Sequence, residues 1–382
     1  MKVIIICNLQ IEDLPPVVST ITALEKNGCQ VVLVTPFLSN TYKTMFNELK
    51  FYDLYKTKEE YNIFKKKNIL LQNIHMYTKW NNFIFKILER EYDNNSFVWI
   101  LHEHTASRLS KKISKYKYAI TIYEMKKNPK NMKILPSNVK KITQNASLVI
   151  TPEYNRSHIL KCWWNLKEVP IVLPNKPFID KKKLIEDDSI CKIKQQINHF
   201  KKDKKILLYQ GSLGADRNLE PFIEAVATKS NYKIILMGAC NDCIKEVANK
   251  YPDSCMIINS IAAPKHLLIT QCADIGIVSY IDSSKSYYDP LNIVYCAPNK
   301  IYEYSMNSIP MICSNQPGLH YSVELNHAGL CIDINNVNEI REALNTIEKN
   351  EQFFKQGSKK LYDSVDIQNI VNEIVSKMGE FK

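Results

Sequence analysis

Glycine is scarce in this chain: 9 of 382 residues, and only Gly28 lies before residue 200. A G-x-G-x-x-G fingerprint needs glycines for a tight turn and for close approach of a pyrophosphate, so the first half cannot contain one. No apolar run reaches the roughly 18 residues a membrane-spanning helix requires. The opening Met1-Lys2-Val3-Ile4-Ile5-Ile6-Cys7-Asn8 turns polar at once and has no small-residue cleavage site. It reads as a first buried strand, not a signal peptide. Metal-ligand spacing is also missing. The 11 cysteines are scattered, and Cys240-Asn241-Asp242-Cys243 is a single C-x-x-C without a second pair. An odd count without an export signal points to buried thiols in a reducing cytosol. No aromatic-basic RNA motif, helix-turn-helix or zinc module is present, so nucleic acid is not an expected partner.

What is present describes a globular protein. The chain is 45% apolar and 24% charged, and its length suggests two domains. Residues 1–170 carry 26 Lys/Arg against 14 Asp/Glu, which accounts for the whole net charge of +12. An anionic membrane surface is the partner this asymmetry suits. Its expected contacts are the clusters Lys65-Lys66-Lys67, Lys111-Lys112 with Lys115 and Lys117, and Lys126-Lys127 with Lys130. Tyr116, Tyr118 and Trp80, interleaved with them, are expected at headgroup level.

Short apolar runs alternate with amphipathic stretches. Strands are expected at Val3–Cys7, Val31–Thr35, Phe97–Leu101, Ala119–Ile122 and Leu148–Thr151. A second series follows at Lys205–Gln210, Tyr232–Gly238, Met256–Ile258, Ile275–Ser279, Pro310–Ser314 and Gly329–Ile332. Continuous rather than alternating apolar character marks strands buried on both faces, hence parallel sheets in two α/β units. Between them Asn175-Lys176-Pro177 leads into a charged stretch that ends near Lys205. That composition shift predicts a first domain over 1–175, a linker over 176–204 with one short helix, and a second domain over 205–355. A final helical segment is expected within 356–382.

Two segments of the second half carry chemistry. Leu207-Leu208-Tyr209-Gln210-Gly211-Ser212-Leu213-Gly214-Ala215-Asp216-Arg217 sends a buried strand into a loop with two glycines and then an arginine. Glycine lets backbone approach a ligand, and the guanidinium fork matches phosphate oxygens. In Ala297-Pro298-Asn299-Lys300-Ile301-Tyr302-Glu303-Tyr304, Pro298 and a capping Asn299 predict a helix start near Asn299 or Lys300. Lysine in a first helical turn opposes the macrodipole, a conflict that a bound phosphate would resolve. Glu303, one turn further in, suits a sugar diol.

Together with Ala273-Asp274-Ile275-Gly276-Ile277 and His327-Ala328-Gly329-Leu330, these segments resemble the donor-binding domain of a GT-B glycosyltransferase. The similarity is greatest to the retaining, family 4-like group that includes capsule, lipopolysaccharide and phosphatidylinositol sugar transferases. The resemblance implies an α/β GT-B fold: two Rossmann-like domains facing each other across a cleft, with the first on the acceptor side and the last helix returning toward it. It implies a hexosyltransferase-like enzyme that moves sugar from a UDP- or GDP-linked donor to a saccharide or lipid-linked acceptor in surface polysaccharide synthesis. No cofactor beyond the nucleotide-diphosphate sugar and no metal is expected, and the setting is the cytoplasm, peripheral to the inner face of the cell membrane.

By the same resemblance, Glu303 binds ribose hydroxyls, while Gly211, Ser212, Arg217, Asn299 and Lys300 hold the diphosphate. The family's earlier glutamate, eight residues before this one, is Tyr295 here, and the basic residue five places after the arginine is Phe222. In the first half, His102-Glu103-His104-Thr105-Ala106-Ser107-Arg108-Leu109-Ser110 resembles a loop whose histidine lies beside the donor sugar, which selects His102 as catalytic. Glu124 ends another expected strand. Other readings remain open: an inverting transferase with His102, Glu103 or Glu124 as base, a nucleotide-sugar epimerase, or a non-catalytic GT-B partner of an active transferase.

Overall fold

The computed structural model describes the chain except residues 47–48, 127–129, 132–134, 137, 180–183, 214–216, 229–230, 239–241, 282–288 and 382. Two compact units emerge: Met1–Pro174 with Asp366–Lys382, and Asn175–Val365.

The first unit is built on β1 (Lys2–Ile6), β2 (Gln30–Thr35), β3 (Lys50–Asp53), β4 (Ser96–Leu101) and β5 (Tyr118–Thr121). A two-stranded antiparallel pair, β6 (Lys130–Asn131) and β7 (Leu135–Pro136), precedes β8 (Leu148–Thr151) and β9 (Ile171–Val172). The seven-stranded sheet runs β3-β2-β1-β4-β5-β8-β9, and every neighbouring pair is parallel. Parallel pairing follows from burial: all six residues of β4 are buried, so neither face could carry a polar stripe.

The second unit uses β10 (Lys205–Gln210), β11 (Tyr232–Met237), β12 (Cys255–Ile258), β13 (Ile275–Val278), β14 (Met311–Ser314) and β15 (Gly329–Ile332). Their order is β12-β11-β10-β13-β14-β15, again all parallel. Alternate residues of one strand feed two cores. Leu207 and Tyr209 pack into one, and Ile206 and Leu208 into the other. That division is the period of two expected of a sheet covered on both faces.

The charged stretch after Pro177 is not only a connection. Asp187 caps a helix, Asp188–Lys201, by accepting from the Ile190 amide at 3.0 Å. Its buried residues, Ile190 and Ile197, join a core of the second unit. Two apolar residues seven apart among lysines are a narrow stripe, easily read as linker. The run Lys181-Lys182-Lys183 lies outside the described residues. At the other end, helix Glu351–Asp363 stays with the second unit and helix Ile367–Glu380 groups with the first. Gln368 Nε2 of the latter donates to the Ala23 carbonyl at 3.4 Å.

Each strand order contains one reversal, between β1 and β4 in the first sheet and between β10 and β13 in the second. Connections leave to opposite faces there, so a crevice opens beyond the strand C-termini, and ligands of open α/β sheets bind in such crevices. Asn8 and His102 follow the two switch-point strands of the first unit. Gly211 and Tyr280 do so in the second.

Candidate functional site

At the second switch point the chain leaves β10 through Gly211, whose φ of +124° favours glycine. A side chain there would also collide: a Cβ would lie 3.0 Å from Lys300 Cε and 3.1 Å from Nζ. The missing side chain is thus what lets the Lys300 ammonium rest against this backbone. Lys300 is buried, with its Nζ 5.0 Å from the Tyr209 ring centroid and 5.6 Å from that of Tyr280. The Arg217 guanidinium stacks on the same Tyr280 ring at 3.8 Å. Two cations from segments over 80 residues apart therefore share one aromatic platform at the mouth of the switch point.

Helix Asn299–Ser305 holds Lys300, and it begins where the sequence predicts. The cap differs from expectation. Pro298 occupies the capping position without a side-chain bond, and Asn299 is the first helical residue. The helix has only 7 residues, so its dipole is short and the lysine supplies most of the positive field. Ser212 is exposed, and its carbonyl accepts the Tyr209 hydroxyl at 2.6 Å. Gly214, the loop's other glycine, lies outside the described residues.

The same helix is locked to the sheet by Tyr304, whose hydroxyl donates to the Leu208 carbonyl at 2.8 Å. Its ring occupies the space a Cβ on Gly276 would need, with the nearest ring atom at 2.4 Å. The Asp274–Ile277 and Pro298–Tyr304 segments are thus one packing unit. Asp274 itself anchors the start of β10, accepting from the Ile206 amide at 2.8 Å.

Glu303 is more enclosed than a ribose ligand read from sequence suggests. It is 3% exposed. Oε2 accepts from Gln210 Nε2 at 2.5 Å, and Oε1 is 3.1 Å from His266 Nε2. Gln210 is oriented in turn by the Thr270 hydroxyl, which donates to its Oε1 at 2.7 Å. Burial alone would raise the carboxyl pKa, but the charge and hydrogen bond of His266, the Gln210 bond and nearby Lys300 outweigh it and hold it below its ordinary value. Each carboxylate oxygen keeps a second lone pair for a diol. Sequence reasoning missed Gln210, His266, Thr270 and Tyr280. Only Gln210 had a signal, as the residue directly before Gly211, because the contacts that tie the others to the site span 20 residues or more of chain.

The first unit's switch point gathers His102, Glu103, His104, Thr105 and Asn8. His102 caps helix Glu103–Ser107, with Nδ1 accepting from the His104 amide at 3.1 Å. Its φ is +81°, an uncommon conformation for a non-glycine residue. Glu103 Oε2 accepts the amides of Tyr123 and Glu124 at 3.0 and 3.3 Å, and Oε1 lies 3.3 Å from His102 Nδ1. That carboxylate therefore clamps the loop after β5 against the histidine. Glu124 is the more exposed acid and lies 3.5 Å from the buried Arg156, which also donates to the Tyr123 carbonyl. Among the described residues, no group of three metal-ligating side chains occurs.

His104 supports this cluster from beneath. Its Nδ1 is 3.1 Å from Asn8 Oδ1, which also receives the Thr105 hydroxyl at 3.0 Å. Burial, then the positive charges of Arg108, His102 and Lys126, push its pKa down from 6.5 to about 3. The unfolded chain therefore takes up this proton first. The contribution is complete above pH 6.5 and is lost as pH falls toward 3, with a slope of up to about 1.4 kcal/mol per pH unit. Urea unfolding of wild type and His104→Asn, whose amide can replace Nδ1–H, should give a steeper loss below pH 6.5 for wild type. Identical pH profiles would contradict a buried neutral imidazole.

Residues 192–363 match the family described as Glycosyl transferases group 1. No curated protein matches the chain in sequence. Among solved structures, Anabaena HepE in complex with UDP-glucose superposes with a TM-score of 0.67 at 12% identity, covering 100% of both chains. The fold is GT-B. Sucrose-phosphate synthase from Thermosynechococcus elongatus gives a TM-score of 0.65 at 15% identity, covering 100% of this chain and 99% of that one. A putative UDP-N-acetylglucosamine 2-epimerase from Listeria monocytogenes gives 0.62 at 14%, covering 99% and 95%. At these identities the structural likeness concerns the fold. The glycosyltransferase group 1 match covers both cation-bearing segments of the second switch point, Gly211–Arg217 and Pro298–Tyr304.

Proposed function

We propose that this chain is a glycosyltransferase that transfers a sugar from a nucleotide-diphosphate donor to a saccharide or lipid-linked saccharide acceptor. The observation that carries the reading is the convergence of Lys300 and Arg217 on Tyr280 beside the open Gly211 backbone. Negative charge grows on the leaving diphosphate as the glycosidic bond breaks, and fixed cations in a partly desolvated site stabilise it. They oppose that charge without a metal. Glu303 receives the ribose diol, held in place by Gln210 and His266. The UDP-glucose complex of the Anabaena neighbour favours UDP as the nucleotide.

His102 orients or polarises the sugar in a retaining reaction, the outcome that the family 4 resemblance favours. In an inverting reaction Glu124 is the better base, because Glu103 is engaged with two backbone amides. A cytoplasmic enzyme in surface polysaccharide synthesis, working at the inner face of the cell membrane, is the setting that fits a lipid-linked acceptor. With Tyr295 at the position of the missing glutamate, a different grip on the donor sugar is expected.

Glu303→Gln keeps the shape and removes the charge. Hydrogen bonds to a charged group contribute roughly 1.5–3 kcal/mol, so UDP affinity should fall about tenfold or more. Calorimetric titration of UDP into both proteins measures this. Equal affinity in a folded variant would remove the ribose assignment, and no UDP binding by wild type would remove the donor site.

A further inference from the structure

We infer that the segment Lys65–Lys79 of the first unit is a docking surface for an anionic phospholipid bilayer. Helix Lys58–Lys66 leads through an exposed turn into helix Ile69–His75, which continues through a wide turn, Met76–Trp80, into helix Asn81–Glu91. Along this run Met76, Trp80, Ile84 and Leu88 face the core. Asn73, one turn before Met76, is buried with them, whereas Leu70, Leu71 and Ile74 are 53%, 50% and 52% exposed. The helix Ile69–His75 is thus inverted, with Asn73 inside and Leu70, Leu71 and Ile74 outside. Ile63 on the preceding helix is 64% exposed as well. Isolated exposed leucines are ordinary, but three on one short helix form a patch.

Charge identifies the occupant. Lys65, Lys66, Lys67 and Lys79 are all exposed and bracket the aliphatic residues on both sides. Gln72 ties the two features together: its Nε2 donates to the carbonyls of Lys65 and Lys67 at 2.9 and 2.7 Å. Asn68 caps the helix through the Leu71 amide at 2.9 Å. Lysines and aliphatic side chains are therefore presented as one piece. Shallow aliphatic insertion and attraction to acidic headgroups are each weak alone, and stable surface binding takes both. A protein partner would need matching acids and apolar contacts, whereas a bilayer supplies both without specific shape. Of the rings expected at headgroup level, Trp80 and Tyr118 are buried and cannot serve there, and Tyr116 is half-buried. Lys127 lies outside the described residues.

The inference goes beyond sugar transfer, and vesicle binding can fail while UDP still binds. The full chain is sedimented with equimolar phosphatidylglycerol–phosphatidylcholine vesicles and with phosphatidylcholine alone, at low and high salt. Enrichment on the anionic vesicles by about tenfold or more is expected, falling with salt over the range in which charges are screened. Leu70→Ser/Leu71→Ser/Ile74→Ser and Lys65→Glu/Lys66→Glu/Lys67→Glu should each lower it by a similar factor, with UDP affinity unchanged. Leu71→Trp, at a solvent-exposed position, gives an independent readout: its emission should shift to the blue on anionic vesicles only. Equal sedimentation on both vesicle types, or no blue shift, overturns the proposal. So does light scattering that shows a dimer broken by the serine variant, which would assign the patch to a second copy of the chain.

Discussion

Alanine in place of His102 should lower turnover by about 10² or more while UDP affinity stays at the wild-type value. A side chain that acts on the reacting sugar contributes of that order through acid–base or electrostatic chemistry, and none of that contribution appears in binding of the bare nucleotide. The strained backbone supplies a second, independent measurement. With φ at +81°, His102 occupies a region that costs a residue with a Cβ roughly 1–3 kcal/mol. Alanine retains that cost and glycine does not, and both lose the cap to the His104 amide. His102→Gly should therefore be more stable than His102→Ala by about 1 kcal/mol in urea unfolding, with both equally inactive. An active glycine variant would move the catalytic assignment to Glu124 or His104. An alanine variant as stable as the glycine variant would show that the strain is not real.

Lys300→Met should reduce turnover by about 10²–10³, the scale on which a single fixed charge or donor aimed at a developing anion acts. Affinity for UDP should fall with it, and affinity for uridine, which lacks the diphosphate, should not. Arg217→Ala should show the same selectivity. Because both cations lie on the Tyr280 ring, the double variant should lose less than the product of the two single losses, as expected for groups acting as one unit. If Arg217→Ala leaves turnover within about twofold, far less than the tenfold change equal to 1.4 kcal/mol, the guanidinium does not face the diphosphate.

Much of the fold was readable from local pattern. Each expected strand, from Val3–Cys7 to Gly329–Ile332, lies on an observed one, with ends differing by a residue or less. The period of a doubly covered strand is written in its own residues, so nothing distant is needed to see it. Within the two large sheets the omissions were at the margins. β3, Lys50–Asp53, is an edge strand of mixed polarity, and β9 is two residues long. Edge positions have one neighbour and need no continuous apolar run. The one short helix expected in the linker is Asp188–Lys201, and the lysines on its solvent face hid only the narrow apolar stripe that seats it in the second unit.

The sequence by itself determined the parallel α/β units, the glycine that opens the backbone after β10, the start of the Lys300 helix and the excess of positive charge in the first half. These follow from side-chain volume, charge and short-range periodicity. Tertiary structure decided which of these residues meet. Strand order placed Gly211 and Tyr280 at one switch point and Asn8 and His102 at another, because a reversal of winding exists only once strands are paired. It closed His266, Gln210 and Thr270 around Glu303, set Lys300 and Arg217 on one ring, and turned Leu70, Leu71 and Ile74 outward. Hydrogen bonds, ring stacking and burial act over a few ångströms of space, whereas the residues that make them are tens of positions apart in the chain.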